Sequence, residues 1–330
     1  RNTAAKFTLP NIGLSWRYDT GRNYGIVSWT LAFLADTHSY YQDHTYTSGN
    51  HDGTSIAGYF ADNASGTDWT VLDAENAYDN CDWNKVLAWN SGMISTAGAA
   101  GSDYVGCTEK YIEDSDGNRS FFTAGTVCQE YGRMNSGRKS DYVFNGSMNI
   151  ANIVYLGATL GLQTLTYGHD EYLRESPVNS DDFDLDFGEA GKTYFKGLKY
   201  QSWYSASGTG IYAKIGAIVT PGPFRIGVSF NTGSAFSIKE KWGSAASTTY
   251  ANSSFNGEAS TPEGYYSYSL KTPYRVNFGI AGTIASMAVL SADYELASNR
   301  SMKFRSPKSD YDEFADKNEE IRNCMGTTHQ

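Results

Sequence analysis

The sequence contains no apolar run long enough to cross a bilayer as a helix, which takes about 20 residues. Its mean hydropathy of −0.47 agrees with that exclusion. A protein that crosses with strands is untouched by the argument, because only half of each strand meets lipid. Positive charge is also short: 26 Lys and Arg against 36 Asp and Glu leave a formal charge of −10, with no basic stripe. That disfavours nucleic acid as a partner, since phosphate binding needs a basic surface. The four cysteines, Cys81, Cys107, Cys128 and Cys324, form no CxxC and lack the paired spacing of a zinc site. Spacing does not assign their pairing, and an even count is only a weak pointer to an oxidising compartment. No G-x-S-x-G elbow occurs, so neither catalysis nor a cofactor is expected. The first residues, RNTAAKFTLP, do not read as a signal peptide, having neither a basic nor an apolar region. Proline is scarce at 7 residues, whereas 34 Gly, 25 Tyr, 16 Phe and 7 Trp suit strands, turns and interfaces.

Period-2 alternation is what the sequence does have. In YSYSLKTPYRVNFGIAGTIASMAVLSADYEL, 266–296, the even positions from Tyr266 to Ile284 are aromatic, aliphatic or small. Ser267, Lys271, Arg275 and Asn277 stand between them. Such alternation predicts one strand with two unlike faces, longer than the usual 5–6 residues or so. Ile12, Leu14, Trp16 and Tyr18 alternate in the same way, then Val27, Trp29, Leu31 and Phe33 after the turn DTGRN, 19–23. Tyr142, Phe144 and Met148 precede the turn NIAN, 149–152, and Val154, Leu156, Ala158, Leu160 and Leu162 follow it. Ile211, Ala213, Ile215, Ala217 and Val219 end at PGP, 221–223, before Phe224, Ile226, Val228 and Phe230. The opening stretch turns at ASM, 285–287. About eight strands in four hairpins are expected, an antiparallel up-and-down meander of the all-β class.

The connections are unequal. Turns within hairpins are short, and the polar excursions between them, about 38–139, 168–192, 234–262 and 298–330, are long. Outer-membrane barrels have that asymmetry, with short periplasmic turns and long extracellular loops, whereas soluble sandwiches mix loop lengths at both ends. The expectation is therefore a single transmembrane β-barrel domain over 1–330, with a partly helical loop insertion at about 38–139. Its apolar face meets lipid and its polar face lines the lumen. The alternative is a secreted carbohydrate-binding β-sandwich whose apolar face is its core. If the short turns are periplasmic, an even strand number requires at least one strand before Arg1 and one after Gln330.

The order of these motifs resembles the FadL/TodX-type outer-membrane transport proteins. TPYRVNFGIAGTIASMAVLSADYEL is similar to the family's late hairpin, a TP-aromatic-basic strand turning into S-x-D-Y-E. SGTGIYAKIGAIVTPGPFRIGVSF resembles its G-x-x-x-K-x-G strand, Pro turn and R-x-G-hydrophobic strand. YLGATLGLQTLTYG resembles its second upward strand, and LPNIGLSWRYDTGRNYGIVSW its early hairpin. The resemblance spans nearly the whole chain and implies a fourteen-stranded barrel in the bacterial outer membrane. It also implies uptake of hydrophobic small molecules, long-chain fatty acids or aromatic hydrocarbons. The family's N-terminal plug and closing strands have no counterpart here. The expected partners are outer-membrane lipid and lipopolysaccharide and a hydrophobic small-molecule ligand, for a monomer. A general porin or adhesin barrel is the competing membrane reading.

Several residues are candidates for chemistry. Arg17, Lys214, Arg225, Arg275, Asp293 and Glu295 fall on the inferred lumen face, where they either solvate the lumen or orient an anionic ligand head. Lys214 and Arg275 are the first choices for a carboxylate. In WTVLDAENAYDNCDWNKVLAWNSG, 69–92, Trp69, Trp83 and Trp89 are among too many large apolar groups for a solvated loop. They predict either a self-packed cap or an apolar landing groove, part of it helical with Asp82 as N-cap. His38, His44, His51, His169 and His329 lack metal-ligand spacing and are expected in solvated loops. The acidic run Asn179–Asp186 lacks the Gly and Glu placement of a calcium loop, and EDSDGN, 113–118, reads as a turn.

Overall fold

Amides in the alternating segments pair sideways, and the register of that pairing decides which face each side chain meets. The computed structural model describes residues 10–98, 101–186, 191–284, 287–307 and 312–330. Strands β1 (Asn11–Asp19), β2 (Ile26–Tyr40) and β3 (Asp43–His51) lead into helices α1 (Ile56–Ala64), α2 (Trp69–Leu72), α3 (Ala77–Asn80) and α4 (Trp83–Asn90). Two small hairpins follow, β4 (Ile94–Thr96) with β5 (Tyr104–Gly106) and β6 (Glu109–Glu113) with β7 (Arg119–Thr123). Next come the long strands β8 (Val127–Ile150) and β9 (Val154–Pro177), the short β10 (Asp184–Asp186), and β11 (Lys192–Val219). The run continues with β12 (Phe224–Asn231), β13 (Ala235–Tyr250), β14 (Gly257–Ser260), β15 (Gly264–Lys271), β16 (Arg275–Ile284) and β17 (Ala288–Ser298). Beyond it lie β18 (Lys303–Arg305), α5 (Ala315–Cys324) and β19 (Thr327–His329).

One 15-stranded antiparallel sheet dominates, with the path β1-β2-β8-β9-β11-β12-β16-β17-β19. The first eight members are the strands the alternation predicts, and β19 adds a ninth along Leu296–Ser298. The protein is all-β, and among the described residues the sheet does not close. β1 pairs only with β2, and β19 only with β17.

The short turns lie side by side along one edge. Gly25 O accepts from Ala151 N at 2.8 Å, Ile153 O from Thr220 N at 2.8 Å, and Pro223 O from Thr283 N at 3.1 Å. In the second turn Ala151 and Asn152 both have positive φ, 53° and 59°, held by Asn149, whose Oδ1 accepts from Asn152 N at 3.0 Å. Of the turn at 285–287, residues 285 and 286 lie outside the described residues.

Two expectations need correction. Two of the excursions, 168–192 and 234–262, are largely strand: β9 runs to Pro177 and β11 starts at Lys192, while β13 and β14 occupy much of 234–262. Above the apolar stretch polar and apolar groups stand on both faces, so the period-2 signal fades although the backbone ladder continues. Second, 266–284 is not one strand. It breaks at Thr272–Tyr274, where Pro273 offers no N–H, and β12 breaks from β13 opposite it, at Thr232–Ser234. Thr272 N donates to Ser234 O at 2.8 Å, Ser234 N donates to Thr272 Oγ1 at 2.7 Å, and Gly233 takes φ 73°.

On β11, Ile211 pairs Ala235 and Lys214 pairs Asn231, so two β11 residues oppose the three of the break. This extra residue inverts the faces above it. Tyr266, Tyr268 and Leu270 consequently share a face with Arg275 and Asn277, not with Phe278 and Ile280. Tyr268 donates to Glu240 Oε1 at 2.7 Å, and its ring lies 5.7 Å from Phe304.

The buried core lies above the sheet's apolar stretch. Helices α1–α4 and the two small hairpins pack on the upper strands through Phe60, Leu72, Val86, Leu87, Met93 and Tyr104 against Val127, Phe195 and Leu198. This insertion packs on itself and on the sheet, as the count of large apolar groups in 69–92 requires. Asp82 caps α4, accepting from Asn84 N and Lys85 N. Glu175, 1% exposed, fixes the cap to β9. Its carboxylate accepts from Ser55 Oγ at 2.5 Å, Ile56 N at 2.9 Å and Gln129 Nε2 at 2.7 Å, which places it at the N-terminus of α1. Glu175→Ala strands those donors in a buried site, at about 1–3 kcal/mol for each donor left unpaired. Hydrogen exchange should show the amides of α1 losing protection while those of β11 near Ile215 keep theirs.

Candidate functional site

The register sorts the lower sheet into two unlike faces. One carries Trp16, Leu31, Phe33, Phe144, Leu156, Leu160, Ile215, Val228, Phe230, Phe278 and Ile280 as cross-strand neighbours, most of them exposed, Leu14 beside them at 75%. The other carries rungs of small and polar residues. Ser147, Gly157, Gly216, Ser229, Asn277 and Glu295 form one, and Asn145, Thr159, Lys214, Asn231 and Arg275 the next.

Because Gly157, Gly216, Gly227 and Gly279 have no side chains, the polar face is hollowed into a groove of about 660 Å³. Lys214 stands at its upper rim and Asp293 and Glu295 on its side. A second cavity of about 530 Å³ lies above, at the level of the strand breaks, and Lys214 lines it too, with Arg275, Asp141 and Gln163. Each cavity falls within the usual range for small-molecule sites, about 300–1,000 Å³.

The candidate cations differ in their surroundings. Arg275 Nη1 lies 3.1 Å from Glu295 Oε1, and Asn277 donates to the same carboxylate at 2.7 Å, so the charge of Arg275 is already answered. Arg17 pairs with Asp19 at 2.7 Å, both well exposed. Arg225, opposite Ala281, and Lys214 make no ion pair among the described residues. Of the two, only Lys214 lines the groove.

Trp69, Trp83 and Trp89 sit in the cap, not at this groove. Trp83 Nε1 donates to Tyr78 O at 2.8 Å and Trp89 Nε1 to Asp73 Oδ1 at 3.1 Å, while the Trp69 and Trp89 rings lie 6.4 Å apart.

A polar cluster that the sequence reading passed over lies beside Lys214. Asp36 and Asp141 are direct cross-strand partners, a like-charge pairing. The His38 ring bridges them, with Nδ1 3.1 Å from Asp36 and Nε2 3.1 Å from Asp141. Gln163 Nε2 donates to both Asp141 oxygens at 2.8 and 3.0 Å, Tyr212 OH donates at 3.2 Å, and Gln163 Oε1 accepts from Ser234 Oγ at 2.5 Å. Asp36-x-His38 at the end of an alternating run is the signal in the sequence, obscured because the polar excursion begins at His38. The other histidines also stand on strands: His44 and His51 on β3, His169 on β9 and His329 on β19. No metal-ligating group occurs among the described residues. Two members of the acidic run pair with lysines, Asp184 with Lys110 at 2.5 Å and Asp186 with Lys192 at 2.9 Å. Asp114 closes the 113–118 turn, accepting from Asp116 N and Asn118 N.

A Cβ at Gly157 would meet nothing nearer than Ser147 Cβ, 3.8 Å away, so a side chain there fills space and not backbone. Gly157→Leu should therefore fold normally and fill the groove. Fluorescence titration with an apolar dye should show binding lost while the far-UV circular dichroism spectrum is unchanged. Comparison of the chain with protein-family models, with curated proteins and with solved structures returns no match.

Proposed function

We propose that the chain is part of an outer-membrane β-barrel of the FadL/TodX type that admits hydrophobic small molecules, with the groove below Lys214 as the ligand site. The observation carrying this reading is the exposed apolar face that runs unbroken across eight strands, opposite a face of glycine, hydroxyl, amide and charge. A contiguous apolar surface of this extent needs a partner, and among the described residues no second layer covers it. Its height supports lipid as that partner. On β11 the apolar positions run over the nine residues from Ile211 to Val219, and a tilted strand takes about 9–11 residues to cross the hydrocarbon. The turns aligned along one edge, with a folded cap at the other, support the same orientation.

The polar face supports an amphiphilic ligand over a wholly apolar one. Groove walls of Tyr155, Ile218 and small residues suit a hydrocarbon chain, and the ammonium of Lys214 suits an anionic head. Arg275, held by Glu295, orders the rim.

Two substitution sets test this. Phe278→Arg should cost membrane insertion about 2–4 kcal/mol at mid-strand, whereas Ser229→Arg on the opposite face should be tolerated, measured by folding titration into bilayers. The reverse ranking would invert the faces, and equal tolerance would argue against a membrane. Lys214→Met should weaken a long-chain fatty acid about ten- to a hundredfold by calorimetry and leave the corresponding alcohol unchanged. A charge-assisted hydrogen bond contributes about 1.5–3 kcal/mol only when the ligand is ionised. Equal losses for acid and alcohol would mean that Lys214 merely shapes the groove.

A further inference from the structure

Immediately above the apolar belt, the outward face changes character on one side of the sheet. The uppermost belt rung reads Leu162, Ile211 and Ala235 and then, on the same face, Lys271 and Lys303. The next rung reads Thr164, Thr209, Ser237, Ser269 and Arg305, and the one after it Thr166, Ser207, Lys239 and Ser267. Hydroxyls and cations thus replace hydrocarbon within two residues. Lys271, Lys303 and Arg305 line a cavity of about 650 Å³ whose floor includes Leu162 and Ile211.

Two features make this cluster unlike an ordinary solvated face. Lys271 and Lys303 are direct cross-strand partners, an arrangement in which like charges repel. Arg305 lies two residues further along the same strand. None of the three has a carboxylate within ion-pair distance among the described residues, whereas Lys241, higher on the same face, is matched by Glu263 at 3.3 Å. A protein with a net charge of −10 has ample carboxylate to place there. Among the described residues the cations are gathered and left unneutralised at the level where an apolar belt meets polar surface.

We infer that Lys271, Lys303 and Arg305 form a docking site for the phosphorylated headgroup of a membrane lipid, whose acyl chains lie on the Leu162–Ile211 part of the belt. The phosphate relieves the Lys271–Lys303 repulsion and takes charge-assisted hydrogen bonds from all three residues. The hydroxyl rungs of Thr209, Ser237 and Ser269 face the sugar or glycerol portion. The site commits to a lipid and not to free phosphate because Leu162, Ile211 and Ala235 give the cavity a hydrocarbon floor continuous with the belt. This inference rests on the membrane reading above and adds a specific lipid contact to it.

The test uses full-length protein purified in a neutral detergent, with three probes: lipid A carrying its phosphates, the same lipid with the phosphates removed, and inorganic phosphate. Phosphorylated lipid A should raise the heat-unfolding midpoint and remain bound in native mass spectrometry. The variant with Lys271→Gln, Lys303→Gln and Arg305→Gln should retain it about tenfold less well, with an unchanged midpoint in detergent alone. Lys271→Arg with Lys303→Arg should keep retention near that of the parent. Equal retention by parent and Gln variant, or equal effects of the two lipids, would overturn the site while leaving the membrane reading intact. Stabilisation by inorganic phosphate alone would overturn the lipid as its occupant. Protein that is monodisperse without detergent would instead remove the membrane reading itself.

Discussion

The ladder between β9 and β11 is the constraint on which the rest depends. It runs without interruption from Val154 opposite Val219 to Glu175 opposite Leu198. One shared register therefore places Leu156 and Leu160 outward, Gly157 and Gly161 inward and Glu175 under the cap. A slip by one residue would exchange every one of those faces at once. The groove, the apolar belt and the buried attachment of α1 are three readings of a single register.

Against that continuous reference, the interruption in the next strands acquires meaning. The residues at 232–234 and 272–274 leave the ladder together and bond to one another, so the two neighbouring strands change face in concert. The change brings Tyr266, Tyr268 and Phe236 inward above the groove and carries Lys239, Lys241 and Lys271 outward. Aromatics and cations stand on opposite faces of these strands in any register, and the inversion decides that the aromatics face inward.

The lower half of the sheet was legible in the sequence because one face is apolar and the other is not. Leu14, Phe33, Phe144, Leu160 and Phe278 mark their strands by contrast with polar neighbours. The upper half was not legible. Segments such as KTYFKGLKYQSWYS, 192–205, put polar and apolar groups on both faces, and a ladder held by backbone bonds leaves no periodic trace. The face inversion was missed for a related reason: an added residue in a break is invisible until the partner strand fixes the count. At the site, Lys214 and Arg275 were identifiable as cations on a small-residue face. Their difference depends on Glu295, a residue from another strand, as the Asp36–His38–Asp141 cluster depends on a pairing of β2 with β8.

The hydrogen bonds joining successive turns bear on how such a sheet is assembled. Gly25 with Ala151, Ile153 with Thr220 and Pro223 with Thr283 tie each hairpin to its neighbour at the same edge. A hairpin that has formed presents its turn as a template for the following one, and most strand neighbours are close in sequence. The largest exceptions are β2 with β8, separated by the whole insertion, and β12 with β16, separated by β13 to β15. Closure entropy grows only with the logarithm of loop length, so an insertion that folds upon itself delays that step modestly. Growth by hairpin addition along a common edge would then order this chain from its turns upward, the cap settling last.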